Sequence, residues 1–266
     1  MRIRKFKAED LPYIHELQPP DWPDVTPHFA YYLSSKNCIP LCGVADGKIV
    51  AVGTLIHHGD TAWLAHIIVH ISCRNAGYGK MITSALIDKV DDARCRTVYL
   101  MATPLGEPVY RRLGFVNENR QLFFKGVSVN HDFTVHPGVR TYDARYQRAL
   151  LELDRQVSGE NRSARISEHL NKALIFLHDN TLTGYYIPGL GEGPIVAKDP
   201  AAGVFFMKHR LIHMDVAIVP EDNKVAVALL NDEGLEVFRT AQRMRLGEAR
   251  NWYPECVFNR ISGQIG

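Results

Sequence analysis

Between Val69 and Lys80 the chain reads Val-His-Ile-Ser-Cys-Arg-Asn-Ala-Gly-Tyr-Gly-Lys, with one cation and two glycines where an apolar run gives way to a helical pattern. Gly77 and Gly79 carry no Cβ, so an anion can approach the backbone there, and the unpaired N–H groups and dipole of a helix start favour a phosphate. Arg74-x-x-Gly77-x-Gly79 is not the dinucleotide fingerprint, which needs a third glycine and a later acidic residue. Nor is it a P-loop, which ends in Gly-Lys-Ser/Thr. On these residues alone two readings stay open: a pyrophosphate cradle, or an ordinary strand-to-helix turn beside a basic residue. His66 and His70, just before the loop, have the pKa of a general base near neutrality, and equally the make-up of hydrogen-bonded rim residues. Cys73 adjoins Arg74, a cation that could activate a thiol; a structural thiol is the plainer reading.

The elements that must hold this loop are legible on either side. Trp63 to Val69 is an apolar run, broken only by His66, of the kind that forms a buried strand, and Ile82, Ala85, Leu86 and Val90 recur at helical spacing after the turn. Upstream, residues 1–7 read as a strand and Ala8 begins a helix stopped at Pro19-Pro20. A second helix covers His28 to Ser35, and Ile39–Ala45 pairs with Ile49–His57 through Asp46-Gly47 as a hairpin. Downstream come a strand at Thr97–Met101, a helix over Leu105–Leu113 with Gly114 at its end, and two strands at Phe115-Val116 and Leu122–Val127.

With 266 residues and 46% apolar content the chain can bury two ordinary cores, so two domains are expected. Its 31 basic and 29 acidic residues are interspersed, which gives no electrostatic case for nucleic acid, and no long apolar segment argues for a membrane. The five cysteines form no paired metal or disulfide pattern, so no metal and a cytoplasmic, reducing location are expected.

The loop, followed by Thr103-Pro104-Leu105-Gly106-Glu107-Pro108-Val109-Tyr110-Arg111-Arg112-Leu113-Gly114-Phe115, resembles the two signatures of the GCN5-related N-acetyltransferases (GNAT): Arg/Gln-x-x-Gly-x-Gly/Ala and, one strand later, Tyr-x-x-x-Gly-Phe. The resemblance covers residues 1–128. Leu153-Asp154, Gly159 to Arg162, Gly193 to Ala197 and Arg243 to Gly247 resemble the C-terminal acetyltransferase-like domain of bacterial two-domain proteins of the YitH type. It implies an α/β chain of two GNAT-like acyl-CoA N-acyltransferase folds in tandem: a catalytic domain at 1–128, a linker at 129–140 and a degenerate domain at 141–266. The second half has no Arg-x-x-Gly-x-Gly and is expected on the substrate side.

The resemblance further implies acetyl-CoA as cosubstrate, held by backbone groups of Ile67, Ile68 and Val69, by Arg74, Asn75, Ala76, Gly77, Tyr78, Gly79 and Lys80, and by Thr103. Tyr110 matches the family's frequent general acid: a phenol of pKa about 10 can protonate a thiolate whose acid has a pKa of about 8.5. Packing against the cofactor is its alternative role. Many relatives carry a glutamate base where this chain has Trp63, which leaves His66, or water, for that task. In the second domain Asp154 and Glu160 could pair with a cationic acceptor and Arg162 with a carboxylate; a capping or ion-pair role is the alternative. The expected activity is direct acetyl transfer in a ternary complex to a primary amine of a small or amino-acid-like molecule. A protein or peptide N-acetyltransferase and a non-catalytic acyl-CoA sensor are the competing readings, and a homodimer is compatible with the resemblance.

Overall fold

In the computed structural model the described residues are 1–20, 22–91, 93–126 and 136–265. In chain order the elements are β1 (Arg2–Lys5), α1 (Ile14–Leu17), α2 (Thr26–Ser34), β2 (Cys38–Ala45), β3 (Lys48–His58), β4 (Thr61–Val69), α3 (Tyr78–Ile87), β5 (Thr97–Ala102), α4 (Glu107–Arg111) and β6 (Val116–Lys125). Then follow β7 (Val139–Thr141), α5 (Gln147–Ser158), α6 (Ser163–Ser167), β8 (Leu174–His178), β9 (Thr181–Tyr186), β10 (Ile195–Ala197), α7 (Pro200–Leu211), β11 (Val216–Pro220), α8 (Lys224–Asp232), β12 (Glu236–Gly247) and β13 (Val257–Asn259). Among the described residues no helix is long and apolar enough to cross a membrane.

The chain divides into two compact units. The first comprises Met1–Val116 with Met244–Glu248 and Ile265. Its strands run β1-β2-β3-β4-β5, antiparallel except for the parallel β4–β5 pair, whose crossover is α3. Asp46 (φ 50) and Gly47 (φ 76) supply the two left-handed positions that a two-residue hairpin turn needs. Apart from Thr61 and His66 the β4 strand is apolar, and Thr61 to Ala65 are buried, covered on both faces. Ala62 and Leu64 pack with Ile82 and Leu86 of α3, and Trp63 lies against Tyr99 with ring centroids 5.3 Å apart.

The last turn of β12 completes this unit beside β5. Glu248 N–H donates to the Arg96 carbonyl at 3.0 Å and the Thr97 hydroxyl donates to the Glu248 carbonyl at 2.9 Å. Gly247 (φ 93) is required there, since a Cβ would stand 2.2 Å from the Arg96 carbonyl oxygen. Met244, fully buried, joins one core with Leu64, Leu100, Tyr110 and Phe115.

The second unit comprises Asn117–Arg243 and Ala249–Gln264. It holds the strand order β12-β6-β11 and a second sheet, β13-β10-β9-β8-β7, with Phe176, Ile195, Phe206, Met207, Val219 and Phe258 among its core residues. Asp179 (φ 46) and Asn180 (φ 62) make the β8–β9 turn, and Gly159 (φ 70) ends α5, residue types suited to left-handed backbone.

Two stretches depart from their local pattern for the same reason. Phe115-Val116 and Leu122–Val127 were expected as separate strands, yet Val116–Lys125 is one strand, with Gln121 to Lys125 paired to β11. The helical spacing of Ile166, Leu170, Ala173 and Leu174 is cut into α6, a 3-10 turn and the start of β8, where Leu174 pairs with Thr141 and Tyr186. In each case strand partners distant in sequence override the local pattern. Val127, and residues 129–135 of the expected linker, lie outside the described residues; Val139 and Arg140 of that segment are in β7.

Met244→Ala removes a fully buried side chain from the first unit's core and should cost about 2–5 kcal/mol in a urea titration. A midpoint and slope equal to the parent's would show that this strand adds nothing to that core.

Candidate active site

The parallel pairing of β4 with β5 runs from Thr61↔Thr97 to Leu64↔Leu100 and stops. One residue further on β4 bulges: Thr54 faces Ala65 and Val52 faces Ile68, so Gly53 alone opposes both His66 and Ile67. His66 is left at φ 46, a left-handed conformation that costs a non-glycine residue about 1–3 kcal/mol. Gly53 makes room for it, because a Cβ there would lie 2.8 Å from Leu86 Cδ1 and 3.4 Å from Ile67 Cγ1. Among the described residues the β5-facing edge of Ala65 to Val69 has no strand partner. Ile67, Ile68 and Val69 thus lie on an edge that an extended ligand could pair with, as a further strand would.

That edge leads into the glycine loop. Arg74 Nε donates to the Val69 carbonyl at 3.4 Å, Asn75 (φ 63) and Gly77 (φ 79) turn the chain, and α3 starts at Tyr78 without any side-chain cap. The first turn of α3 therefore keeps its N–H donors for an anion. Asn75, Ala76, Gly77 and Lys80 are exposed, and a Cβ on Gly77 would meet nothing within 4 Å. Gly79 faces Val69, 3.8 Å from where its Cβ would be. The helix that follows β10 in the second unit differs: Asp199 caps α7, accepting from Ala201 N–H at 2.9 Å, and Pro200 removes another donor. A carboxylate already occupies the place an anion would take.

Thr103 closes the turn after β5. Its carbonyl and hydroxyl oxygens accept from Gly106 N–H at 2.9 Å and 3.3 Å, and its carbonyl also accepts from Glu107 N–H at 3.0 Å. The turn starts α4, which delivers Tyr110. The Tyr110 ring is buried against Phe115, centroids 6.1 Å apart, and over Gly106, where a Cβ would be 2.9 Å from Cε2 and 3.4 Å from the hydroxyl. Burial raises the Tyr110 phenol above its ordinary value, so it holds its proton at neutral pH.

His66 meets a set of rings that the sequence reading did not assemble. Its Nδ1 is hydrogen-bonded to the Tyr32 hydroxyl at 2.9 Å, and its ring lies 4.9 Å from His28, 5.9 Å from Phe29 and 6.4 Å from Trp22. Burial among them, with His28 adding to it, pushes the His66 imidazole down to about 3. It is neutral at pH 7, but so weak a base has little driving force to take a proton from an ammonium of pKa about 10. The base role expected of His66 is weakened for that reason. His70 caps the 3-10 turn that follows β4, its Nδ1 2.7 Å from the Ser72 hydroxyl. The one local sign of this cluster was the i, i+4 spacing of His28 and Tyr32; nothing local says that α2 meets the bulge.

Asp154, Glu160 and Arg162, expected to meet an acceptor, are 1%, 0% and 5% exposed within the second unit. Arg162 donates to both Asp154 oxygens at 2.5 Å and 3.2 Å, and the Tyr185 hydroxyl donates to Asp154 at 2.6 Å. Burial, with Asp154 beside it, pushes the Tyr185 phenol well up and keeps it a donor. Arg243 lies 4.4 Å above the Trp252 ring and donates to Glu160 at 3.3 Å and to Glu118 at 3.1 Å. This network accounts for all three residues. Among the described residues no three His, Cys, Asp or Glu side chains are placed to hold a metal ion.

Residues 6–115 match the model of the acetyltransferase (GNAT) family. No curated protein matches the sequence. A Pyrococcus horikoshii protein described as an acetyltransferase has a TM-score of 0.82 at 19% identity, over 100% of this chain and 95% of that one. A GCN5-related N-acetyltransferase from Sphaerobacter thermophilus has a TM-score of 0.66 at 14% identity, over 94% and 96%. A tandem GNAT protein from the clavulanic acid biosynthesis pathway has a TM-score of 0.60 at 13% identity, over 94% and 99%. At these identities the likeness is one of fold: α/β, two GNAT-like acyltransferase folds in tandem.

Two measurements follow from this geometry. Arg162→Ala leaves the Asp154 carboxylate buried without its cation and should cost about 3–5 kcal/mol of unfolding free energy; a loss under about 1 kcal/mol, the level of an exposed pair, would contradict a buried ion pair. His66 is neutral when folded and gains a proton when unfolded, so its contribution is complete above about pH 6.5 and is lost as the pH falls from there towards 3. The stability gap between the parent and His66→Asn, a residue tolerant of the left-handed backbone, should therefore shrink between pH 7 and pH 5 in urea titrations. A gap that widens would show a charged His66.

Proposed function

From the match of residues 6–115 to the GNAT acetyltransferase family model we propose that this chain is a GNAT enzyme that transfers an acetyl group from acetyl-CoA to a primary amine of a small molecule. The observation that carries the reading is the parting of β4 from β5 beyond Leu64, directly ahead of the uncapped start of α3. One edge then offers a ladder for the amide-bearing pantetheine arm and, at its end, N–H donors for the pyrophosphate.

Arg74 to Lys80 hold the phosphates. Backbone groups of Ile67 to Val69 hold the arm, and an N–H at the bulge polarises the thioester oxygen, a donor already oriented before charge develops. Thr103 acts through the α4 turn that positions Tyr110. In the reaction an ammonium acceptor loses a proton to water, its nitrogen forms the amide C–N bond, the C–S bond breaks, and the nitrogen's second proton is released as the thiolate is protonated. The net products are amide, CoA thiol and one proton. Tyr110, protonated because it is buried, serves the departing sulfur as hydrogen-bond donor and acid. His66 serves as a neutral hydrogen-bonding group at the acceptor, with water as the base.

The test is thiol release from acetyl-CoA across a panel of small amines, with Tyr110→Phe alongside. The parent should release thiol with at least one amine. The variant should lose about a hundredfold in kcat while its acetyl-CoA Kd stays within about twofold. Unchanged kcat removes the acid role; acetyl-CoA binding without thiol release for any amine makes the chain an acyl-CoA sensor instead.

A further inference from the structure

Resting on the acetyl transfer and the acid role proposed above, we propose that Leu246, at the end of β12, is a positioning residue that holds Tyr110 at the departing sulfur. Tyr110 depends on its surroundings for its place. Its helix, α4, has 5 residues, far short of the roughly 12–15 at which a helix becomes stable by itself. Gly114 (φ 89) then ends it. The Tyr110 carbonyl accepts from Leu113 N–H at 3.0 Å and from Phe115 N–H at 3.1 Å, which folds the chain through Gly114 back onto Tyr110. Whatever packs on that turn sets where the phenol stands.

Leu246 packs on it, within the first unit. A Cβ at Gly114 would lie 3.4 Å from Leu246 Cδ1, so the leucine covers a side of the turn that the glycine leaves open. Leu246 and Leu113 also pack against the core that holds Tyr110, Phe115 and Met244. The leucine is itself fixed on both sides. Before it stands Met244, fully buried. After it, Glu248 N–H donates to the Arg96 carbonyl at 3.0 Å, and the Glu248 carbonyl accepts from the Thr97 hydroxyl at 2.9 Å. These bonds tie the segment to the start of β5, the strand whose other end leads through Thr103 into α4. Truncating the leucine leaves a void into which the turn can settle, and a displacement of about 1 Å slows a reaction that depends on alignment. The backbone groups proposed to hold acetyl-CoA belong to β4 and the start of α3, so turnover is expected to suffer and cofactor affinity is not.

The test is a double-mutant cycle on the full chain, with the amine that releases thiol fastest. Leu246→Ala should lower kcat about tenfold with the acetyl-CoA Kd within about twofold, and Leu246→Met, which refills the space, should bring kcat back to within about threefold of the parent. In a Tyr110→Phe background Leu246→Ala should change kcat no further, because it acts through the phenol. Leu246→Val is read in its place where the alanine variant does not fold. Unchanged kcat, or an equal loss in both backgrounds, overturns the assignment. Fluorine NMR of the fluorotyrosine-labelled chain reads the position of Tyr110 without turnover, its signal being the one missing from Tyr110→Phe. Leu246→Ala should move that signal. A moved signal with a kcat that Tyr110→Phe leaves unchanged supports the packing on Tyr110 and defeats the acid role; a kcat that needs Tyr110, with a signal that Leu246→Ala leaves in place, does the reverse.

Discussion

A strand cannot give its edge to a neighbour and to a ligand at once, and β4 divides that edge at Leu64. Up to that residue it is an interior strand, covered on both faces and laddered to β5. Beyond it the bulge at His66 turns the backbone away, opposite Gly53, where a Cβ would press on the Leu86 side chain. The strained backbone costs about 1–3 kcal/mol, and burial of Trp63, Leu64 and Ile68 around it opposes that cost. The rest of the first unit is arranged about this point. The glycine loop begins where the open edge ends, α4 leaves the end of β5 with Tyr110, and α2 brings its rings to His66.

The two units treat charge in opposite ways. In the first, the donors at the start of α3 stay open, because Gly77 offers no capping oxygen and the loop is exposed. In the second, the start of α7 carries its own carboxylate, and the charges of Asp154, Arg162, Glu160, Arg243 and Glu118 are matched inside the unit. Buried ion pairs of this kind add little net stability relative to apolar packing, yet losing one partner is costly. They fix how α5, the segment after it and β12 meet, and they explain why charged residues near the end of a helix do not by themselves mark a ligand site.

Short-range chemistry was the legible part. Asp46-Gly47 and Asp179-Asn180 required left-handed turns, Gly159 and Gly114 required helix ends, and all have positive φ. The mostly apolar run of β4 led one to expect a buried strand, and Gly77 and Gly79 marked the turn into a helix whose start carries no side-chain cap. Where the periodicity misled, at Ile166 to Leu174 and at β6, the deciding partner strands lie far along the chain, beyond the reach of any local pattern.

The sequence by itself determined the strand, loop and helix of the candidate site, and with Tyr110 and Gly114-Phe115 the resemblance to the two acetyltransferase signatures, because each is specified by residues a few positions apart. Only the tertiary structure decided what those residues can do. The parting of β4 from β5 depends on Gly53 from another strand, the depressed basicity of His66 on rings from α2, and the matching of Asp154 with Arg162 and Tyr185 on the path of the chain after α5. Strand edges, protonation states and ion pairs depend on which groups exclude water around them, and those groups are brought together by folding and are not adjacent in sequence.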